Sequence, residues 1–302
     1  MSTILAVKGW YTGDILGELK RAALLADKIA VRHVHAEGEC DKFPHVKNEI
    51  EWLKAQGIAV PPPEVKYDVA RYPWLKDYDR RIIEDPASLR RVYYMKHLMD
   101  DDVLEKGEKF EQELYVEAAN AYARAASTLL TEENQTAVPM LPSEGVGHTN
   151  LPTKKSAVVR LSYDRLPMPD DQTPWDAILD WRSDDDAKGK FARLRTWINR
   201  ASHADSTISE IEDDLESALY EYRTYMRVQH VRIPTGRFEA ICTGAVKFLE
   251  ELPKIKVSPL IEAVFRFDRV QAEMTEKELS APNREVAYIV EAQDTFSKDN
   301  KP

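Results

Sequence analysis

The stretch "LPMPDDQTP" (Leu166 to Pro174) constrains the fold more than any other. Its prolines, Pro167, Pro169 and Pro174, each lack an N–H and fix φ, so none suits a helix interior or a central strand. They divide the 302 residues into two halves of different periodicity. Before them, short helical patterns alternate with β-branched runs. After them, long helical patterns dominate. The pattern predicts an α+β, helix-dominated chain, with an α/β domain over 1–166 and a helical domain over 167–302. The first half should hold a small mixed sheet with helices, and the second an antiparallel helical bundle.

In the first half, Ile15, Leu16, Leu19, Ala22 and Ala23 have helical spacing, and the β-branched run "KIAVRHV" follows them. Val46, Ile50 and Leu53 share a second helical face. Gly57 is placed to end that helix, and "IAV" follows as a short strand. Residues 65–105 mix aromatics, charges and prolines, as short helices and loops do. From about 107, Phe110, Leu114, Ala118, Ala121, Ala125 and Leu129 predict a long helix. "TAVPML" reads as a strand end. Val158, Arg160, Ser162 and Asp164 alternate with Val159, Leu161, Tyr163 and Arg165, which predicts a strand.

In the second half, Ala187, Phe191, Leu194, Ile198 and Ala201 predict a helix over about 184–202. Ile208, Ile211, Leu215, Ala218, Tyr222 and Tyr225 predict another over 208–229. Together they read as an αα-hairpin with a bundle-like seam. Two further helices are expected near 237–252 and 259–279. "REVAYIVEAQDTF" reads as a final strand that returns to the N-terminal sheet.

The densest acidic run is Asp184, Asp185 and Asp186. Consecutive helical residues point about 100° apart, so these carboxylates diverge rather than converge on a metal. The run suits a helix start better. Ser183 would be the N-cap and Asp186 the third-position acid, with the helix dipole favouring all three charges. If carboxylate chemistry exists, Asp164, Asp176 and Asp180 are the better candidates, since Asp176 and Asp180 are four apart and can share a helical face.

A second candidate interleaves Arg80, Arg81, Arg90, Arg91 and Lys96 with Tyr72, Trp74, Tyr78, Tyr93 and Tyr94. Cations that hold phosphates, with aromatics that stack on bases, suit single-stranded nucleic acid. A third groups His33, His35 and His45 with Glu37, Glu39, Cys40 and Asp41, but the spacing fits no zinc motif. Gly145 and Gly147 lack the third glycine of a dinucleotide fingerprint. No metal centre or cofactor is assigned, and catalysis is left open.

The formal net charge of −10 makes nucleic acid a less favoured partner. Cys40 and Cys242 form no Cys-x-x-Cys pair and are expected to be reduced, as in a cytoplasmic protein. The N-terminal apolar run is short and broken by Lys8, unlike a secretory leader. No run reaches the ~18–20 apolar residues that span a bilayer, so no membrane partner is expected.

The pattern "LPMPDDQTPWDAILDWRSDDDAKGKFARLRTWI", with "SEIEDDLESALYEYRTYM" and the late "REVAYIV", resembles a family of uncharacterised bacterial proteins. The segments "LLADKIAV" and "EIEWLKAQGIAV" are similar to the start of that family. The resemblance implies a bacterial, cytoplasmic protein and carries over no catalytic residue. The expectation is therefore a non-catalytic interaction or regulatory protein of a bacterial defence (antiviral) or stress system. It would bind a protein partner, or form an oligomer with itself, through the helices over 184–229. The alternative is a divergent metal-dependent hydrolase or nuclease that uses the acids between Asp164 and Asp184.

Overall fold

The computed structural model describes residues 4–10, 15–33, 44–96, 103–133, 135–140, 151, 153–170, 172–229 and 276–297. The chain is helix-dominated and α+β, and it divides into two compact units, Met1–Asp164 and Arg165–Pro302.

The first unit runs β1 (Ile4–Trp10), α1 (Ile15–Leu25), β2 (Lys28–His33), α2 (Pro44–Ala55), β3 (Ala59–Val60), a 3-10 turn (Pro73–Asp77), α3 (Arg81–Glu84), α4 (Pro86–Lys96), α5 (Val103–Glu132), β4 (Thr136–Pro139) and α6 (Lys154–Asp164). The four strands form one sheet in the order β3-β2-β1-β4. All three pairings are parallel, so the expected mixed sheet is corrected to a parallel one. Helices join β1 to β2 and β2 to β3, which is how parallel neighbours must be connected.

The sheet core is apolar: Ile4, Leu5, Ala6, Val7, Ile29, Ala30, Ala137 and Val138 are buried. Asp27 closes the lower end of β1, with its carboxylate accepting from the Ile4 N–H at 2.8 Å and its own N–H donating to the Ile4 carbonyl at 2.9 Å. Gly57 ends α2 as expected, at φ 68°. The Ile58 N–H reaches back to the Leu53 carbonyl and the Gly57 N–H to the Lys54 carbonyl, both at 2.9 Å. On one face α5 approaches β1 so closely that a Cβ on Gly9 would lie 2.5 Å from the Ala119 Cα. Leu114, Ala118, Ala121 and Ala125 are buried along that helix, in keeping with the predicted stripe.

The expected strand over 155–165 is a helix, α6. Every residue from Ser156 to Tyr163 is buried, so alternation had no solvent face to report. Its polar members bond internally instead. The Ser162 hydroxyl donates to the Val158 carbonyl at 3.1 Å, and Arg160 pairs with Asp164, four residues on, at 2.9 Å.

The second unit contains α7 (Trp175–Ser183), α8 (Asp185–His203), α9 (Ile208–Val228), a 3-10 turn (Arg284–Val286) and α10 (Ala287–Phe296). The expected final strand is therefore helical and adds nothing to the sheet. Its run Val286 to Val290 is wholly buried, and a continuous apolar run suits a buried helix as well as a strand. α8 and α9 each pack on this C-terminal segment. Tyr288 lies between Trp181 of α7 and Phe191 of α8, at ring separations of 4.6 and 5.0 Å. The expected helices near 237–252 and 259–279 lie outside the described residues, apart from 276–279, which are helical.

Candidate functional site

Two clusters of buried charge stand out, one in each unit. In the first unit the cluster sits at the carboxyl ends of β1 and β4. Lys8 is only 2% exposed, although Ile4 and Ala6 before it on the same strand face are apolar. Its ammonium pairs with Glu18 in the first turn of α1. From α6, Arg160 donates from Nη1 to the Pro139 carbonyl at 3.4 Å and pairs with Asp164 at 2.9 Å. Arg21 donates from Nε to the Tyr163 carbonyl at 3.0 Å, with its guanidinium 4.5 Å from the centre of the Tyr163 ring.

Burial holds the Lys8 ammonium below the ordinary lysine value. It outweighs the attraction of Glu18, and Arg160 adds repulsion. Burial likewise lowers Arg21 and raises the Tyr163 phenol. The cluster thus sets the cations Lys8, Arg21 and Arg160 against the carboxylates Glu18 and Asp164.

In the second unit, Lys190 of α8 is 5% exposed. Its ammonium lies 2.7 Å from Asp186, 3.0 Å from Glu278 and 3.2 Å from Glu291. Arg193 also reaches Glu278, at 3.3 Å. Burial opposes the lysine charge, but Glu291, Glu278 and Asp186 together hold Lys190 above the ordinary lysine value. The cage ties α8 to α10 and to the helical residues 276–279.

The acidic run is a helix start, with the cap one residue later than expected. Asp184 is the N-cap of α8, and its carboxylate accepts from the Asp186 and Ala187 N–H groups at 3.0 and 3.1 Å. Ser183 still belongs to α7, where its hydroxyl donates to the Asp180 carbonyl at 2.8 Å. α9 has the complete capping box that α8 lacks. The Glu210 N–H donates to the Thr207 hydroxyl at 3.3 Å, and the Thr207 N–H donates to the Glu210 carboxylate at 2.6 Å.

The sequence candidates fall in separate places. Asp164 ends the first unit, paired with Arg160, whereas Asp176 and Asp180 belong to α7 of the second unit and are exposed. Among the described residues, no group of three His, Cys, Asp or Glu side chains could hold a metal ion.

Arg80 pairs with Glu84 at 2.5 Å, and Arg81 pairs with Asp79 at 2.6 Å. Asp79 is held down to about 2, chiefly by its side-chain hydrogen bonds with Arg81. Arg91 is exposed, while the side chains of Arg90, Tyr93, Tyr94 and Lys96 lie outside what is described. Tyr72 is buried, and Trp74 contacts the rings of Tyr72 and Tyr78 at 6.3 and 6.0 Å. His35, Glu37, Glu39, Cys40, Asp41, Gly145, Gly147 and Cys242 lie outside the described residues, as do the side chains of His33 and His45. No described helix is long and apolar enough to cross a membrane.

Lys8, Glu18, Arg160 and Lys190 were not singled out by motif. The one signal for the first cluster was the lysine that breaks the apolar run "ILAVKGW". For the second it was a lysine four residues after Asp186, a spacing that equally describes a surface pair. Comparison with family models, curated proteins and solved structures found no match.

Proposed function

We propose that this chain is a non-catalytic interaction or regulatory protein of a bacterial cytoplasmic system of the defence or stress type, as its resemblance to an uncharacterised bacterial family suggests. In this reading the helices of the second unit form an antiparallel bundle, and the outer face of α9 docks a partner protein.

The supporting observation is what α9 leaves outside. Its inner residues Ile211, Leu215, Leu219, Tyr222 and Met226 are buried, yet Tyr220 is 68% and Val228 64% exposed. With Thr224 between them they form a line at helical spacing, the arrangement that anchors a helix laid alongside. The same helix carries six acids (Glu210, Glu212, Asp213, Asp214, Glu216 and Glu221) against two bases, Arg223 and Arg227. Glu212 and Glu216 pair with Arg165, and a second copy laid parallel would bring the remaining acids onto like charge. The proposal commits to a partner with a basic amphipathic helix.

The test is co-purification of the tagged chain from its bacterial host, beside a Tyr220→Glu, Val228→Glu double variant. A protein retained by the wild type and lost by the folded variant supports the reading. Equal retention by both contradicts it, as does a wild type that light scattering shows associating only with itself.

A further inference from the structure

The order β3-β2-β1-β4 has a consequence for the first unit. The chain leaves β1 toward β2 on one side, while β4 joins on the other. In open α/β sheets the connections diverge at such a switch point, and ligands bind outside the carboxyl ends of the strands there. The charged cluster stands at this place. The Met140 N–H donates to the Val7 carbonyl at 2.8 Å, so the end of β4 is level with Lys8. Arg160 bonds the Pro139 carbonyl at the same level, and Glu18 in the first turn of α1 reaches Lys8, so the end of a helix whose dipole favours anions lies beside the cluster.

Stability does not explain these charges. Burying an ion costs several kcal/mol even after relaxation, and an apolar pair of similar size is often as stable. Ile4 and Ala6 show that this strand face accepts apolar residues. Lysine and arginine side by side are what phosphate recognition uses, arginine for its planar fork and lysine as a point charge. The Lys190 cage offers nothing similar, since three carboxylates crowd its one ammonium.

We propose that the carboxyl ends of β1 and β4 bind a small phosphate-bearing molecule, with Lys8 and Arg160 contacting its phosphate oxygens. Glu18 and Asp164 hold the two cations in place when the site is empty. Binding exchanges Glu18 for phosphate as the partner of Lys8, within a cluster that is already built. The site is independent of the α9 face, so either reading can fail alone.

The test is titration calorimetry of the intact protein with inorganic phosphate, pyrophosphate and adenosine monophosphate at fixed ionic strength. Saturable one-to-one binding of at least one probe is expected. Lys8→Met and Arg160→Gln should each weaken it at least tenfold, and Arg81→Ala should leave it unchanged. If circular dichroism shows that Lys8→Met or Arg160→Gln does not fold, Arg160→Lys keeps the charge, loses the fork and should bind at least threefold more weakly. The proposal is overturned if no probe binds saturably. It is equally overturned if the folded Lys8 or Arg160 variants bind like the wild type.

Discussion

Lys190 shows how one side chain can bind several elements. Its side chain is 6% exposed, and those of Glu278 and Glu291 are 14% and 16% exposed. Lys190→Met would leave two nearly buried carboxylates without their shared cation, and breaking a buried pair from one side costs about 3–5 kcal/mol. Chemical denaturation of the variant should show a loss of that size. The pH dependence has a definite sign. The folded state holds the lysine proton more tightly than the unfolded state, where the ordinary value is 10.5, so the contribution is complete below that value and is lost as pH rises above it. The stability gap between wild type and Lys190→Met should therefore narrow above about pH 10.5, and a gap that stays constant to higher pH would count against the cage. At the start of α8, Asp184→Ala should cost about 1 kcal/mol while Ser183→Ala costs much less, because Asp184 accepts the two N–H bonds. Equal losses would return the cap to Ser183.

At the scale of elements, legibility followed solvent exposure. α8 and α9 keep one wet face, so their apolar spacing was readable, and both lie within a residue of the expected bounds. α6 and α10 are buried nearly all round. Arg160, Ser162 and Asp164 then satisfy themselves inside the protein, and their alternation with apolar neighbours imitates a strand. Tyr288 is likewise buried in an unbroken apolar run that fits either structure, and the decision rests on tertiary packing between α7 and α8. β1 was hidden for a related reason, since Lys8 interrupts the run and finds its partner on α1, which sequence spacing does not reveal. The close approach of α5 to β1 gives a prediction at this scale. Gly9→Ala would place a Cβ against the Ala119 backbone, which cannot swing aside like a side chain, and should cost about 3 kcal/mol in thermal or chemical denaturation. A neutral outcome would mean that the helix and strand are not in contact there.

At the scale of the whole molecule, the chain joins a parallel-sheet unit to a helical unit, and each carries its own unexplained feature. The functional residues were less legible than the fold. Several of the acids and arginines prominent in the sequence pair with close sequence neighbours, as Arg80 does with Glu84, Arg81 with Asp79 and Asp164 with Arg160. The unusual chemistry belongs to single lysines that reach partners on other elements, Lys8 to Glu18 and Lys190 to Glu278 and Glu291. The central claim, that the outer face of α9 meets a basic partner, is tested most directly by carboxyl-to-amine zero-length cross-linking in the native host, read by mass spectrometry. α9 contains no lysine, so its acids supply the reactive groups. Cross-links from Asp213, Asp214 or Glu221 to lysines of one other protein, lost in the Tyr220→Glu, Val228→Glu variant, are the predicted result. Cross-links from these acids only to lysines of this same chain, or the same links in the double variant, would contradict it.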